Sequence, residues 1–254
     1  MPRASAGGYF EGGFKPTARK PDGTAVCGAT HNIGAISGGT GASGALPFGT
    51  RIDYIPHHEP FQYYPSTANP HHLPPSATDK IGHTDQASHQ YDLSDFWAAA
   101  DTGHLPTVSI LKAPAYQDAH AGYSDPLDEQ QYVVETVNHL QKLPEWKGMA
   151  IIITYDDSDG WYDHKPPVIV SASTTNEDAL NGPDLCGDPA TMPIAYQGRC
   201  GYGPRLPLLA ISPYARTNFV DHTFTDQTSI MRFIEDDWNT GRIGDHPFDD
   251  APAH

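Results

Sequence analysis

The sequence predicts an α/β fold with a mostly parallel central sheet, and three observations predict it. Residues 149–155, Met-Ala-Ile-Ile-Ile-Thr-Tyr, form a short apolar, β-branched run, the pattern of a strand buried on both faces in the middle of a parallel sheet. Residues 107–111 and 206–212 repeat it, with Pro207 suited only to a strand start. Residues 125–143 carry Val133, Val134, Val137 and Leu140 at helical spacing between the first two apolar runs, with Asp125 or Pro126 as the start. Strand, helix, strand over 107–155 is a βαβ unit, for which a right-handed crossover is expected.

Taken in order, residues 1–50 lack periodicity. Gly-rich patches at 7–8, 12–13 and 38–49 read as loop, and no strand is expected before residue 50. The last patch suggests a phosphate loop but lacks the Gly-Lys-Ser/Thr ending. Thr30-His31-Asn32 is a polar island. In YIPHHEPFQYY (54–64), Pro56 and Pro60 stiffen the backbone around His57 and His58. One or both imidazoles can point into a cleft walled by Phe61, Tyr63 and Tyr64; a surface aromatic loop is the plainer alternative. His71-His72 reads as such a loop. Residues 90–100 form an amphipathic helix with Leu93, Phe96, Trp97 and Ala100 inward, Asp92 or Ser94 as cap and Gly103 as stop. The loop after 107–111 carries Asp118, His120 and Tyr123, which should reach the same sheet edge as Asp156 if both strands run parallel. Residues 165–204 form a loop-rich excursion. Residues 225–238 form a helix with Ile230, Phe233 and Ile234 inward and Thr225 or Asp226 capping.

The chain's 254 residues suffice for one sizeable domain. Its 24 Gly and 24 Pro and its mean hydropathy of −0.50 require much loop. A net charge of −16 argues against nucleic acid as partner, because phosphate backbones need a basic face. A phosphate-bearing substrate would then meet local cations, a metal ion or some of the 14 His. No run reaches transmembrane length. Of the three Cys, Cys186 and Cys200 flank a Gly/Pro-rich segment. A disulfide there would contribute about 3 kcal/mol, and two buried thiols are the alternative.

The chemistry concentrates where the 149–155 run stops. Asp156 and Asp157 stand at a strand end, the edge at which open α/β sheets bind ligands. Adjacent carboxylates repel and are costly to desolvate without a cation or donors. Ser158-Asp159-Gly160 turns the chain, and Trp161-Tyr162-Asp163-His164 brings an imidazole and a third acid back. The pattern points to metal-assisted hydrolysis; a solvated acidic turn is the alternative.

Six blocks in this order resemble the bacterial phosphoesterase family of non-haemolytic phospholipases C and acid phosphatases. They are YIPHHEPFQYY, STANPHHLPP, HQYDLSDFWAA, LPTVSILKAPAYQDAHAGYSDPLDEQ, ITYDDSDGWYDH and RLPLLAISPYARTNFVDHTFTDQTSIMRFIEDDW. The likeness spans residues 54–238 and is strongest to the acid-phosphatase branch. It implies an alkaline-phosphatase-like three-layer α/β sandwich, of which residues 1–254 form the C-terminal portion of a single domain, incomplete at the N-terminus. It implies that Asp156 and Asp157 ligate a catalytic divalent metal ion of unspecified identity. By the same likeness His57 and His58 line the phosphate pocket with His120, His164 supports the acidic pair or the structure around it, and Cys186 and Cys200 are paired.

Family members open with a strand ending in a Met-Glu-Asn-Arg-Ser-like motif. Its Glu and Asn complete the metal site, and the hydroxyl nucleophile lies in the same region. No such motif occurs here, so the expectation is a chain that supplies part of a site, with a separately encoded N-terminal half as partner. The expected activity is phosphomonoester hydrolysis. The alternatives are a phospholipase C-like phosphodiesterase acting on phospholipid head groups and a non-catalytic remnant. Intact members are periplasmic or secreted. The start MPRASAGGYF lacks a signal-peptide core, so the chain as given is expected in the cytoplasm.

Overall fold

The Gly-rich start of the chain holds the centre of the first sheet. The computed structural model describes residues 7–33, 49–158, 162–165, 180–182, 185–186 and 202–242. The chain divides into two compact units, Met1–Met149 and Ala150–His254. In chain order the first unit carries β1 (Gly7–Glu11), β2 (Ala18–Arg19), β3 (Ala25–Val26), β4 (Thr30–Asn32), β5 (Thr50–Ile52), β6 (Gln90–Asp92), α1 (Leu93–Thr102), β7 (Val108–Lys112) and α2 (Pro126–Leu140). The second carries β8 (Ile151–Thr154), β9 (Leu180–Gly182), β10 (Leu185–Cys186), β11 (Leu208–Ile211) and α3 (Thr228–Trp238).

In the first unit, β1 lies between β6 and β7 and is parallel to both; Phe10 is in register with Tyr91 on one side and Leu111 on the other. Phe10 is 0% exposed, stacked on Tyr91 at 5.0 Å and met edge-on by Phe96 at 5.3 Å. Gly12 follows where the chain passes Pro114 so closely that a Cβ would lie 2.4 Å from the proline nitrogen, so only glycine fits. The ribbons β2–β3 and β4–β5 are antiparallel pairs beside this sheet.

Helix α1 is written into its ends. The Asp92 carboxylate accepts from Ser94 N at 2.9 Å, and Asp95 accepts from Asp92 N at 3.2 Å, a reciprocal capping box. Gly103 closes the helix in the left-handed region at φ 72°. The face Leu93, Phe96, Ala99 and Ala100 is buried, and α1 lies against β1 and β6. Asp92 also accepts from Lys15 N at 2.9 Å. Asp92→Ala is expected to lower stability by about 1–2 kcal/mol in urea unfolding, because it removes the cap and this second bond together. An unchanged midpoint would show that the box contributes nothing.

Helix α2 begins at Asp125, whose carboxylate accepts from Leu127 N at 2.7 Å, with Pro126 in the first turn. Its buried positions are Thr136 and Leu140; Val133 and Val137 are half-buried and Val134 is exposed, a correction to the expected face. In the second unit, Asp226 accepts from Thr228 N at 2.8 Å just ahead of α3. Ile230 and Ile234 are half-buried there, whereas Phe233, expected inward, is exposed. The buried residue of α3 is Glu235, bonded to Arg242 at 3.1 Å.

Three expectations about strands are corrected. Residues 1–50 were expected as loop, yet β1 is the central strand of its sheet. β7 is half-exposed rather than buried, because among the described residues it is the sheet's edge. β8 is half-buried, and its partner among the described residues is antiparallel β11, from Ile151 opposite Ile211 to Thr154 opposite Leu208. The first sheet contains the βαβ unit β6–α1–β7, with β1 between its strands. An apolar run specifies a strand but leaves its partner to tertiary packing. The parallel sheet with its helices agrees with an α/β fold. Among the described residues, no helix is long and apolar enough to cross a membrane.

Candidate functional site

His57 and His58 stand on a single 3-10 turn, Pro56–His58, and Pro60 opens the next turn at once. The two prolines fix φ on either side, so the imidazoles project from a stiff segment. Their ring centroids are 4.6 Å apart, edge to face. His57 is exposed, whereas the His58 side chain is only 9% exposed and places Nδ1 3.8 Å from Oδ2 of the buried Asp118. The Tyr9 hydroxyl of β1 donates to the His58 carbonyl.

His120 arrives on the loop after β7. The Asp118 Oδ1 accepts from His120 N at 3.0 Å, and the Tyr123 hydroxyl donates to Oδ2 at 3.5 Å. The His120 ring is stacked on Tyr123 at 4.1 Å. Its Nδ1 lies 2.7 Å from Ala121 O. A carbonyl only accepts, so Nδ1 carries the proton and proton exchange falls to Nε2. Ala119, between the acid and the imidazole, is held at φ 71°, a left-handed conformation that costs a non-glycine residue energy. The structure thus gathers His58 and His120 around Asp118. Sequence reasoning placed Asp118 and Tyr123 on this loop but gave them no role. The usable signal was an Asp two residues before the imidazole, the spacing of a side chain that bonds its own backbone.

His72 and His31 have structural roles. His72 is stacked on Phe14 at 4.0 Å, and its Nδ1 donates to Phe14 O at 2.8 Å. His31 pairs with Asp53 at 2.7 Å and stacks on Tyr116. Those two residues, with Asp53, Trp97, Tyr132 and His139, line a cavity of about 460 Å³ that contains none of the expected site histidines. Cys27 is a free thiol, pushed up to about 11 by burial first and by Asp92 next.

In the second unit Asp156 and Asp157 follow β8 directly, and both are exposed. The Gln227 side-chain amide donates to Tyr155 O at 2.7 Å and Asp156 O at 3.3 Å, tying the start of α3 to the strand end. Two adjacent carboxylates offer the hard oxygen donors that divalent cations take. Among the described residues no group of three His, Cys, Asp or Glu is arranged to hold a metal ion. Asp163, expected to return toward this pair, is instead engaged by Arg205. The guanidinium grips it at 2.9 and 2.7 Å, and Arg205 N and Lys165 N each donate at 3.0 Å. The Arg205 bonds first, and then that of Lys165, hold its carboxyl well below the usual carboxylate range. His164 is exposed beside this fork, 3.5 Å from Arg205. Asp159, Gly160, Trp161 and Cys200 lie outside the described residues, as does the side chain of Cys186. The expected Cys186–Cys200 pairing therefore lies outside them too. His57, His58, His120 and Asp118 belong to the first unit, and Asp156, Asp157 and His164 to the second.

Comparison with known proteins extends this picture. The chain is 33% identical over 139 residues to the non-hemolytic phospholipase C of Pseudomonas aeruginosa, covering 52% of this chain and 20% of that protein. It is 33% identical over 152 residues to the non-specific phospholipase C1 of Arabidopsis thaliana, covering 57% and 26%. To phospholipase C A of Mycobacterium tuberculosis H37Rv it is 28% identical over 161 residues, covering 59% and 30%. The chain thus spans less than a third of the length of these relatives. Residues 39–241 match the phosphoesterase family, and the chain belongs to that family.

Proposed function

We propose that this chain serves the hydrolysis of phosphoric esters. The observation that carries this reading is the gathering of His58 and His120 around the buried Asp118 in a phosphoesterase-family chain. His57, His58 and His120 would hold phosphoryl oxygens. An imidazole donates from both ring nitrogens once protonated, so anion binding strengthens on the acid side of neutrality. Asp118 supports positive charge on His58 and anchors the His120 backbone, and the Nε2 of His120 is where a proton would pass to a leaving group. Asp156 and Asp157 would contribute carboxylate ligands to a divalent metal ion, which when bound neutralises charge on phosphoryl oxygens and activates an oxygen nucleophile. The exposed His164 would hold the segment after the acidic pair beside Arg205. We place the nucleophilic hydroxyl and the remaining metal ligands on a further polypeptide segment, in keeping with the share of the relatives' length that this chain spans.

Two substrate classes fit. The sequence blocks favour a phosphomonoester; the relatives, phospholipases C by name, favour a phospholipid head-group diester. The chain, alone and joined to the segment encoded upstream of it, is to be assayed on p-nitrophenyl phosphate and on p-nitrophenyl phosphorylcholine. Acid and neutral pH are compared, with and without a chelator. Monoester hydrolysis lost on chelation and restored by a divalent metal is the expected result. Preference for the choline diester establishes the phospholipase C-like reading. If neither protein hydrolyses either substrate, the proposal fails.

A further inference from the structure

Glu11 and Glu59 are the most deeply buried acids of the first unit, 1% and 0% exposed. Glu11 ends β1; Glu59 directly follows the turn bearing His57 and His58. Their carboxyls are neighbours that act on each other in this buried setting. One oxygen of the four has a donor, Glu11 Oε1, which accepts from Ile55 N at 3.1 Å. Among the described residues no N–H or O–H reaches Glu11 Oε2 or either oxygen of Glu59. Two ionised carboxylates cannot bond each other, and burying both without donors would cost several kcal/mol. The charges around them do not resolve the conflict. Lys112 of β7 is the cation acting on Glu11, while Asp118 and Asp92 add negative charge, and Tyr54 and Cys27 are held neutral by burial.

We propose that Glu11 and Glu59 hold one proton between them, and that this carboxylic acid–carboxylate hydrogen bond clamps the turn bearing His57 and His58 to the end of β1 until rising pH releases it. The proton comes from solvent and returns to it. With Tyr9 donating to His58 O and Ile55 N donating to Glu11, the clamp is the third tie between this turn and β1, and Glu59 is a positioning residue for the two imidazoles. That consequence rests on the phosphoester reading; the shared proton does not.

Burial raises both acids above the ordinary glutamate value of 4.5. From that pH up to the raised value, the folded chain keeps a proton that the unfolded chain has lost. The stabilisation is therefore complete below about pH 4.5 and drains away as pH rises, by about tenfold in the folding constant per pH unit for one proton. Glu59→Gln keeps a donor for Glu11 but does not titrate there.

Two measurements on the full chain test this, and neither uses turnover, so failure here leaves the phosphoesterase reading standing and the reverse. Infrared spectra at neutral pH should contain the carbonyl band of a protonated carboxyl in the wild type, absent in Glu59→Gln. Urea unfolding from about pH 5 to about pH 8 should show the wild-type folding constant falling about tenfold per unit relative to Glu59→Gln. If Glu59→Gln does not fold, the wild-type spectrum decides alone. No protonated carboxyl at neutral pH, or parallel pH profiles in the two proteins, would overturn the proposal.

Discussion

Asp156→Ala is expected to lower phosphoric ester hydrolysis by on the order of a hundredfold or more, with folding stability changed by less than about 0.5 kcal/mol. Asp156 is exposed, so its removal opens no cavity. The bond that ties the strand end to α3 runs from Gln227 to the Asp156 carbonyl, which alanine retains. The substitution removes a carboxylate at the end of β8, where a divalent ion would lose a ligand and bind more weakly. Adding metal in excess should restore part of the rate, and Asp157→Ala should behave alike. Turnover undiminished in either variant would remove that residue from the metal site. Equal losses of turnover and stability would mark the position as structural.

Phe10→Ala is expected to cost about 3–5 kcal/mol in urea unfolding, a large part of a typical domain's stability. The ring is fully buried between Tyr91 and Phe96. It fills space that Gly8 leaves open, since a Cβ on Gly8 would lie 2.8 Å from Phe10 Cε2. Truncation at the middle of the central strand leaves a cavity lined by aromatic rings that cannot collapse without moving β6. Phe10→Leu should cost less because it refills part of that volume. A loss below about 1 kcal/mol would show that the sheet is not organised on this strand.

Helix α1 is legible in the sequence because both of its ends are specified locally, by Asp92 and Asp95 at the start and Gly103 at the stop. The start of α2 at Asp125-Pro126 is legible for the same reason. β1 is not. Gly-Gly-Tyr-Phe-Glu has two glycines, an acidic end and no alternation, and becomes a strand only because β6 and β7 flank it. The antiparallel partner of β8 is equally hidden, for the partner runs are some fifty residues apart and nothing in either specifies direction. At the candidate site, the stiffness around His57 and His58 is readable from Pro56 and Pro60. The part played by Asp118 is not, because an acid in a loop reads as solvated until the fold buries it. Glu59 was passed over on the same ground. It sits between His58 and Pro60 in a stretch that looks like surface, and its burial follows from the return of that stretch onto β1.

The fork between Asp163 and Arg205 joins two points 42 residues apart in sequence. Next to it, Thr154 and Leu208 begin the β8–β11 ladder. The chain between these points is thus closed at its base by a bidentate ion pair and by backbone bonds. Each doubling of a closed loop's length costs only about 0.6 kcal/mol in chain entropy. Evolution can therefore lengthen, shorten or replace the intervening segment while the ladder keeps its register. The same base gives a protein engineer a point at which to graft an epitope or a reporter domain.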